Sequence, residues 1–410
     1  MKYLAVLGRQ PEISIAELET VTGIKWCQIS FSGRVARARR HGARALNLAL
    51  PRSEIPSKDI LAPLDINRLG GTLKLAVELE QRPIDYLKGL PAGKITLGVS
   101  DYTDNATGKS AMDEALKLKK ILVRQGRSVR VVANHEAVLS TATSLHNGLN
   151  GQNERRVELI KTNEGWYRVI GVQDIEAYAR RDQARPARDA KVGMLPPKLA
   201  QILINLCGPL ESGATVLDPF CGTGVVLQEA LLMGYRAYGT DISEKMIECT
   251  KRNLKWLFSE RRELLRACSS EPREDGRERE CEEKSPFRVL VGDATSFAWS
   301  QPIDAVACEG YLGKPFSKIP NEMELKEQKQ ECGSIILGFL KNLAGQIKKD
   351  TSVVIAVPAW LREDGTYERL KILDQIDKLG YNVDNKSLEG LIYHRKGQIV
   401  ARDIIILRKK

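Results

Sequence analysis

A glycine-rich loop in the second half of the sequence restricts the fold to a small number of architectures. The loop reads Asp218-Pro219-Phe220-Cys221-Gly222-Thr223-Gly224 and lies between an apolar strand at 215–217 and an apolar helix at 225–233. Glycines at such a junction let the backbone pass close to a ligand and turn sharply into the helix. The free N–H groups at the helix start then face the polar groups of that ligand. Taken alone, the loop is also compatible with a tight strand-to-helix turn that binds nothing.

Strands and helices alternate around this loop, as a doubly wound sheet requires. A helix start is predicted at Pro196-Pro197, and residues 199–206 are its apolar run. The predicted strands share short apolar runs, and they are residues 215–217, 236–240, 288–291, 303–307, 352–357, 391–393 and 404–407. The pattern predicts an α/β, Rossmann-like domain over 196–410 with a mostly parallel sheet. Residues 260–284 interrupt it, and their mixed charge predicts a disordered or loosely helical insertion.

Carboxylates follow the first three predicted strands of this domain. Asp218 follows the first strand, Asp241 the second and Asp293 the third. In open parallel sheets, ligands bind at the carboxyl ends of the strands. A carboxylate after the second strand can bind both hydroxyls of a ribose, and one after the third can accept from an adenine amino group. The predicted cofactor-binding residues are Asp218, Pro219, Phe220, Gly222, Gly224, Asp241, Ile242, Asp293 and Ala294. Because the loop is not G-x-G-x-x-G, NAD is disfavoured.

These ordered features resemble class I methyltransferases, which use S-adenosylmethionine as cofactor. The loop is similar to the first motif of amino-methyltransferases that act on nucleic acid bases. The resemblance implies Asp or Asn, two prolines and an aromatic residue after the fourth strand, where this chain has Glu309-Gly310-Tyr311. A carboxylate and a backbone carbonyl can orient an amine, and an aromatic face can stack a base. Glu309, Gly310 and Tyr311 are therefore the predicted catalytic residues, and a misplaced glutamate would weaken or abolish methyl transfer.

The net charge of +11 is concentrated in the first half of the chain. Residues 1–190 contain 30 Lys and Arg against 21 Asp and Glu, and residues 191–410 contain 33 against 31. The resulting +9 on the first half predicts contact with a polyanion, although a basic composition without such a partner is the alternative. Lys119 and Lys120, on a predicted helix at 111–124, are candidate RNA contacts or parts of a solvated surface.

Small α/β elements are predicted throughout this first half. The predicted strands are 3–7, 94–99, 128–132, 157–160 and 166–172, of which the last two form a hairpin. A further helix is predicted over 137–149, ending near Gly148.

A wider resemblance covers nearly the whole chain. The connector 178–189 and the following Met194-Leu195-Pro196-Pro197-Lys198-Leu199-Ala200 look like the segment before the catalytic domain in THUMP-containing tRNA guanine-N2 methyltransferases. Residues 135–142 and 145–149 are similar to a THUMP domain. The resemblance implies an N-terminal ferredoxin-like domain over 1–63, a THUMP-like RNA-binding domain over 64–172 and a linker over 173–195. The linker arginines predicted to contact RNA are Arg180, Arg181, Arg185 and Arg188.

Other classes of site are not expected. No apolar run approaches the roughly 18 residues of a membrane helix, and Arg9 interrupts the start too early for a secretory signal. The eight cysteines form no C-x-x-C pair and the four histidines no close pair, so no metal site is predicted. We expect reduced thiols and a cytoplasmic location.

Together these patterns predict an S-adenosylmethionine-dependent enzyme that methylates the exocyclic N2 amine of a guanosine in tRNA or another structured RNA. An adenine-N6 or cytosine-N4 methyltransferase of DNA or RNA is an alternative, because it shares the loop and the amine chemistry. An alternative from another class is a catalytically weak or inactive RNA-binding scaffold that binds the cofactor.

Overall fold

The computed structural model describes residues 2–29, 48–51, 64–188, 194–261, 285–395 and 397–410. The chain divides into two compact units, Met1–Ala177 and Tyr178–Lys410. Each unit is built on a sheet of its own.

The first unit combines an eight-stranded sheet with short helices. Its strands are β1 (Tyr3–Leu7), β2 (Trp26–Ile29), β3 (Leu48–Pro51), β4 (Thr72–Glu78), β5 (Ile95–Asp101), β6 (Val129–Val131), β7 (Arg156–Lys161) and β8 (Trp166–Val172). Its helices are α1 (Pro11–Thr22), α2 (Pro83–Lys88), α3 (Gly108–Arg124) and α4 (Thr141–His146). The strands lie in the order β2-β3-β1-β4-β8-β7-β5-β6.

This sheet is continuous across the boundary predicted between residues 63 and 64. β1 and β4 pair antiparallel, with Ala5 opposite Leu75. The split into a ferredoxin-like and a THUMP-like domain therefore remains a prediction. The antiparallel pairing of β7 with β8 confirms the predicted hairpin.

The helix predicted over 137–149 is shorter in the structure, where α4 covers only Thr141–His146. The Ser140 hydroxyl accepts a hydrogen bond from the backbone N–H of Thr143 and so caps the helix start. Gly148 adopts a left-handed conformation with φ of 68° just beyond the helix end. Local capping thus fixes both ends of α4, and the apolar pattern alone overestimated its length.

A buried ion pair ties the sheet of the first unit to the segment around α4. The Lys74 ammonium donates to the Glu158 carboxylate at 2.6 Å, and both side chains are almost fully buried. The hydroxyls of Ser100 and Ser144 also donate to Glu158, each at 2.6 Å, and Lys74 further donates to the Leu139 carbonyl. Every strong polar group of the cluster therefore has a partner, as burial of charge requires.

The second unit contains a larger mixed sheet. Its strands are β9 (Thr215–Asp218), β10 (Arg236–Asp241), β11 (Phe287–Val291), β12 (Ala305–Glu309), β13 (Ser352–Leu361), β14 (Tyr367–Arg369), β15 (Tyr381–Val383), β16 (Ile392–Tyr393) and β17 (Val400–Lys409). The helices of this half are α5 (Ile175–Gln183), which begins just before the unit boundary, α6 (Pro197–Leu206), α7 (Val225–Leu232), α8 (Glu244–Glu260), α9 (Glu322–Ala344), α10 (Leu373–Ile376) and α11 (Asn385–Glu389).

The strand order of this sheet defines its class. The order is β11-β10-β9-β12-β13-β17-β15, with β14 paired to β13 and β16 to β17. The five strands from β11 to β13 are parallel, whereas β17 is antiparallel to its neighbours. The chain reverses direction across the sheet between β9 and β12, which places the switch point at the ends of these strands. The predicted Rossmann-like, mostly parallel sheet is confirmed.

The connector between the halves is more ordered than the predicted linker over 173–195. Helix α5 occupies Ile175–Gln183, and residues 189–193 lie outside the described residues. Helix α5 is amphipathic, and its Tyr178 side chain is buried in the second unit. Of the predicted insertion at 260–284, residues 262–284 also lie outside the described residues.

The described parts of the chain contain no helix long and apolar enough to cross a membrane. Six cysteines fall within these parts and all are free thiols, namely Cys27, Cys207, Cys221, Cys249, Cys308 and Cys332.

We predict that Lys74→Met destabilises the chain by about 3–5 kcal/mol, because it leaves the buried Glu158 carboxylate without its cation. The added change Glu158→Gln should recover much of this loss. Lys2→Met, which removes the exposed ion pair with Glu78, should cost less than about 1 kcal/mol. Denaturant unfolding of the full chain measures the free energy of unfolding of all three variants. An equal loss in Lys74→Met and Lys2→Met would contradict a stabilising role of the buried pair.

Candidate active site

The glycine-rich loop forms the turn from β9 into α7. The backbone N–H of Gly224 donates to the Cys221 carbonyl at 2.7 Å, and that of Cys221 donates to the Thr240 carbonyl of β10 at 2.9 Å. Gly222 and Gly224 adopt left-handed conformations, with φ of 50° and 81°. A Cβ on Gly224 would lie 2.7 Å from Cγ2 of Thr250. Any other residue there would therefore have a strained backbone and would clash with Thr250. The absence of a side chain at Gly224 therefore lets the loop pack against Thr250 of α8, and close approach of a ligand remains a prediction.

Three carboxylates converge where neighbouring parallel strands end. Asp218 ends β9, Asp241 ends β10 and Glu309 ends β12. Burial raises the pKa of Asp218 well above its usual range, and the nearby charges of Asp241 and Glu309 raise it further. The backbone N–H of Phe220 donates to Asp218 at 3.1 Å and partly opposes this rise. A site with this much converging negative charge favours a cationic ligand.

Asp241 is fixed in place by backbone donors. Its Oδ2 accepts from the N–H of Gly222 at 2.9 Å, and its Oδ1 accepts from the N–H of Ser243 at 2.9 Å. Each carboxylate oxygen has a second lone pair, so both can still accept a ribose hydroxyl. Ile242 follows directly and is 73% exposed, which leaves an apolar surface beside the carboxylate.

Asp293 lies at the end of β11 and is exposed. Its Oδ1 accepts from the backbone N–H and the hydroxyl of Thr295, at 2.8 and 2.7 Å. These hydrogen bonds lower the pKa of Asp293, so the carboxylate stays ionised and able to accept. Ala294 is buried, and its carbonyl accepts from the Asn342 amide at 3.0 Å. Contact of Asp293 with an adenine amino group remains a prediction.

The remaining predicted loop residues support this arrangement. The Pro219 carbonyl accepts from the Thr240 hydroxyl at 3.4 Å. Phe220 packs edge-on against Phe339 of α9, with ring centroids 5.3 Å apart.

The predicted catalytic residues follow β12 without a break. Gly310 is buried, and its N–H donates to the Ala356 carbonyl of β13 at 2.9 Å. Tyr311 is half-buried, and its hydroxyl donates to Glu331 of α9 at 3.0 Å. Burial and this contact with Glu331 raise the pKa of Tyr311 to about 12, so the phenol stays neutral. Glu331 also accepts from Gln328, which accepts from the backbone N–H of Lys314 at 2.7 Å. This chain of hydrogen bonds fixes the tyrosine side chain and the loop after it.

Arg402 is a site residue that sequence reasoning missed. Its Nε donates to Oε1 of Glu309 at 2.5 Å, and its side chain is 6% exposed. The two residues lie 93 positions apart in sequence. The available signal was the charged pair Arg402-Asp403 between the apolar residues Val400-Ala401 and Ile404–Leu407 of β17.

Asn253 of α8 is a second missed residue. Its side-chain amide donates to the carbonyls of Ala187 and Thr223, at 2.9 and 2.8 Å, and its oxygen accepts from the N–H of Ala187. Asn253 thereby fastens the connector to the glycine-rich loop.

Two of the four connector arginines are not placed to contact RNA, which corrects the prediction for them. Arg181 makes two hydrogen bonds to the buried Glu229 of α7, at 2.7 and 3.2 Å. Arg185 is buried, and a terminal nitrogen donates to Met194 Sδ at 3.2 Å. Only Arg180 and Arg188 of this set are exposed. On α3, Lys120 is exposed and Lys119 partly so, and their RNA contacts remain predictions.

Among the described residues, no group of three or more His, Cys, Asp or Glu side chains is placed to hold a metal ion.

The strand order and the site define the second unit as a class I methyltransferase fold. Residues 185–269 match a protein family described as RMKL-like, methyltransferase domain. The methyl donor of this class is S-adenosylmethionine. The cofactor fits the observed groups, because the converging carboxylates suit its positive sulfonium and ammonium charges.

Several proteins with similar sequences are named tRNA (guanine(10)-N2)-dimethyltransferase. The protein of Methanothermobacter thermautotrophicus is 48% identical over 75 residues, 18% of this chain and 22% of that protein. The protein of Methanocaldococcus jannaschii is 26% identical over 254 residues, 60% of this chain and 68% of that protein. That of Pyrococcus abyssi is 47% identical over 62 residues, 15% and 18% of the two chains. Two of these alignments thus span less than a quarter of the relative's length.

Among solved structures, TrmN from Thermus thermophilus aligns over 100% of both chains with 17% identity and a TM-score of 0.44. The family match and the named relatives agree with the predicted resemblance to tRNA guanine-N2 methyltransferases, and membership in that family and a THUMP domain remain predictions.

We predict that Gly224→Ala destabilises the chain by about 2–4 kcal/mol and weakens cofactor binding. The left-handed conformation costs an alanine about 1–2 kcal/mol, and the contact with Thr250 adds an overpacking cost. Gly213→Ala is the matched control, since Gly213 has φ of 78° but nothing within 4 Å of its Cβ position. Thermal unfolding and calorimetry with S-adenosylmethionine measure stability and cofactor affinity. Gly213→Ala should show the conformational cost alone. Identical behaviour of the two variants would contradict a specific need for glycine at position 224.

A second prediction concerns pH. Because the pKa of Asp218 is raised, its carboxylate protonates at a higher pH than an ordinary aspartate, and cofactor affinity should fall as pH falls through that pKa. The loss should reach up to about tenfold per pH unit, since a cationic ligand then meets a neutral acid.

Asp218→Asn should bind weakly with a flatter pH dependence. Asp293→Asn is the control, because the lowered pKa of Asp293 keeps that residue ionised over the same range, so the parental slope should persist. Calorimetric titration across pH measures each curve, and a parental slope in Asp218→Asn would exclude Asp218 as its origin.

Proposed function

We propose that this chain transfers a methyl group from S-adenosylmethionine to the exocyclic N2 amine of a guanosine in tRNA. The observation that carries the proposal is the position of Glu309, which ends β12 near Asp218 and is followed by Gly310 and Tyr311. The relatives named as tRNA (guanine(10)-N2)-dimethyltransferases support tRNA as the substrate and guanosine 10 as the first position to test.

The chemistry requires help because an exocyclic amine conjugated to its ring is a poor nucleophile. When bound, S-adenosylmethionine supplies an electrophilic methyl group on its sulfur. Glu309 accepts a hydrogen bond from the N2 amine and thereby orients the nitrogen lone pair. The Gly310 carbonyl is the second predicted acceptor, and its N–H is already bound to β13. Once the nitrogen has accepted the methyl group, Glu309 or water would take the proton that the nitrogen releases.

Tyr311 is proposed to hold the base flat. Stacking on an aromatic ring is worth about 1–3 kcal/mol per base. The hydrogen bond to Glu331 fixes the ring before the base arrives, so less freedom is lost on binding. A guanosine inside a tRNA helix must first leave its stack, at a cost of a few kcal/mol.

The first unit is proposed to bind the RNA through contacts with its phosphates. Its share of the net charge supports this role, as do exposed cations on α3 such as Lys120. Phosphate contacts position an RNA without reading its sequence, which leaves the choice of base to the catalytic pocket. The THUMP-like identity of residues 64–172 and a cytoplasmic location belong to this same proposal.

The test compares two tRNA transcripts that differ in one group. Inosine lacks the N2 amine of guanosine, so a transcript with inosine at position 10 should accept no methyl group while the guanosine transcript is methylated. Single-turnover transfer from labelled cofactor measures both, and binding of each transcript is the control. Equal transfer to the two transcripts would show that position 10 N2 is not the acceptor. Transfer to neither, with cofactor and tRNA both bound, would favour an inactive scaffold.

A further inference from the structure

The ion pair between Glu309 and Arg402 links the proposed catalytic carboxylate to a distant strand. Arg402 lies on β17, opposite Pro358 of β13 and Tyr393 of β16. Since β13 separates β12 from β17, the arginine side chain spans a strand to reach Glu309. Its Nε donates at 2.5 Å to one oxygen only, Oε1. Within the described residues, Oε2 of Glu309 has no other hydrogen bond, and the Glu309 side chain keeps 17% of its surface exposed.

The charges around Glu309 explain why a cation is needed there. Asp218 faces it from β9, and Asp241 lies behind Asp218 on β10. The α9 carboxylate near Tyr311, Glu331, adds a further negative charge to the region. Arg402 supplies the positive charge from β17, and like charges this close would otherwise favour protonation of one acid.

The next residue of β17 makes a comparable pair on the opposite face of the strand. Asp403 is buried and accepts from Nε of Arg369 at 2.6 Å. Arg369 also donates to the carbonyls of Ser387 and Leu388, so this second pair fastens the C-terminal segments together. Successive residues of a strand point to opposite faces. The Arg402–Glu309 and Asp403–Arg369 pairs are therefore both arginine–carboxylate pairs, but they lie on opposite faces of β17.

We propose that Arg402 is a positioning residue for methyl transfer, holding Glu309 by Oε1 so that Oε2 is left to accept from the acceptor amine. This inference rests on the proposed function. Base amino-methyltransferases, which the motifs resemble, carry Asp or Asn at this place, whereas this chain has the longer Glu. An added methylene gives the carboxylate more freedom, and a displacement near 1 Å can cost about a hundredfold in rate. Arg402 removes that freedom by fixing one oxygen.

The test measures single-turnover methyl transfer to tRNA against pH, with saturating cofactor, for the parent, Arg402→Met and Arg402→Lys. Arg402→Met should be about ten- to a hundredfold slower at neutral pH. Because the neighbouring carboxylates then lack their cation, part of the rate should return as pH is raised. Arg402→Lys keeps the charge but loses the fixed Nε donor, so it should be slower than the parent with nearly the parental pH midpoint.

Arg369→Met is the matched control, because it breaks the neighbouring pair without touching Glu309. It should lower thermal stability and leave the pH midpoint of methyl transfer unchanged. A readout independent of activity is a double-mutant cycle of Arg402→Met with Glu309→Gln in cofactor-free unfolding. The two changes should be non-additive, as expected for residues in direct contact.

The outcomes separate this inference from the proposed function. If the parent methylates tRNA and Arg402→Met matches its rate and pH profile, the role of Arg402 is refuted and the function stands. A pH midpoint that moves equally in Arg369→Met would also refute it, because the effect would then follow stability. If the parent binds cofactor and tRNA but transfers no methyl group, both proposals fail.

Discussion

The convergence of carboxylates at the carboxyl ends of β9, β10 and β12 is the constraint on which the rest of the second unit depends. Parallel strands bring Asp218, Asp241 and Glu309 to one edge of the sheet, where burial and the charges of Asp241 and Glu309 disfavour the charged form of Asp218. The structure meets this cost with backbone donors to Asp218 and Asp241 and with Arg402 on Glu309. A cationic methyl donor would offset the remaining repulsion between the carboxylates. The same unfavourable charge distribution would therefore favour binding of the cofactor.

The same principle separates structural charges from functional ones elsewhere in the chain. In the first unit, Glu158 receives an ammonium and two hydroxyls, so the cluster is satisfied without a ligand. Arg181 is likewise satisfied by Glu229, which makes it part of the packing between α5 and α7. Lys120 and Arg188 are exposed, and their contact with RNA phosphates remains a prediction. Net charge alone could not make this distinction, because it counts buried and exposed arginines alike.

Much of the fold and the strand-end positions of the predicted cofactor residues could be predicted from sequence because the signals are local. The glycine loop, Asp241 and Asp293 each sit at a strand end that the apolar pattern already marks. The Glu309–Arg402 pair could not be found this way, since it joins strands 93 residues apart and depends on the order β12-β13-β17. The burial of Arg185 was missed for a related reason: a run of arginines and a proline resembles a solvated linker until tertiary packing is known. The length of α4 was overestimated because capping at Ser140 competes with the apolar pattern.

The central claim is that the groups at these strand ends direct a methyl group to the N2 amine of guanosine. The most direct measurement is mass spectrometry of nucleosides from tRNA that has been incubated with the protein and a cofactor carrying a deuterated methyl group. The account predicts label in N2-methylguanosine or N2,N2-dimethylguanosine. Label on adenosine N6, on cytidine N4 or on guanosine N1, or no label at all, would contradict it.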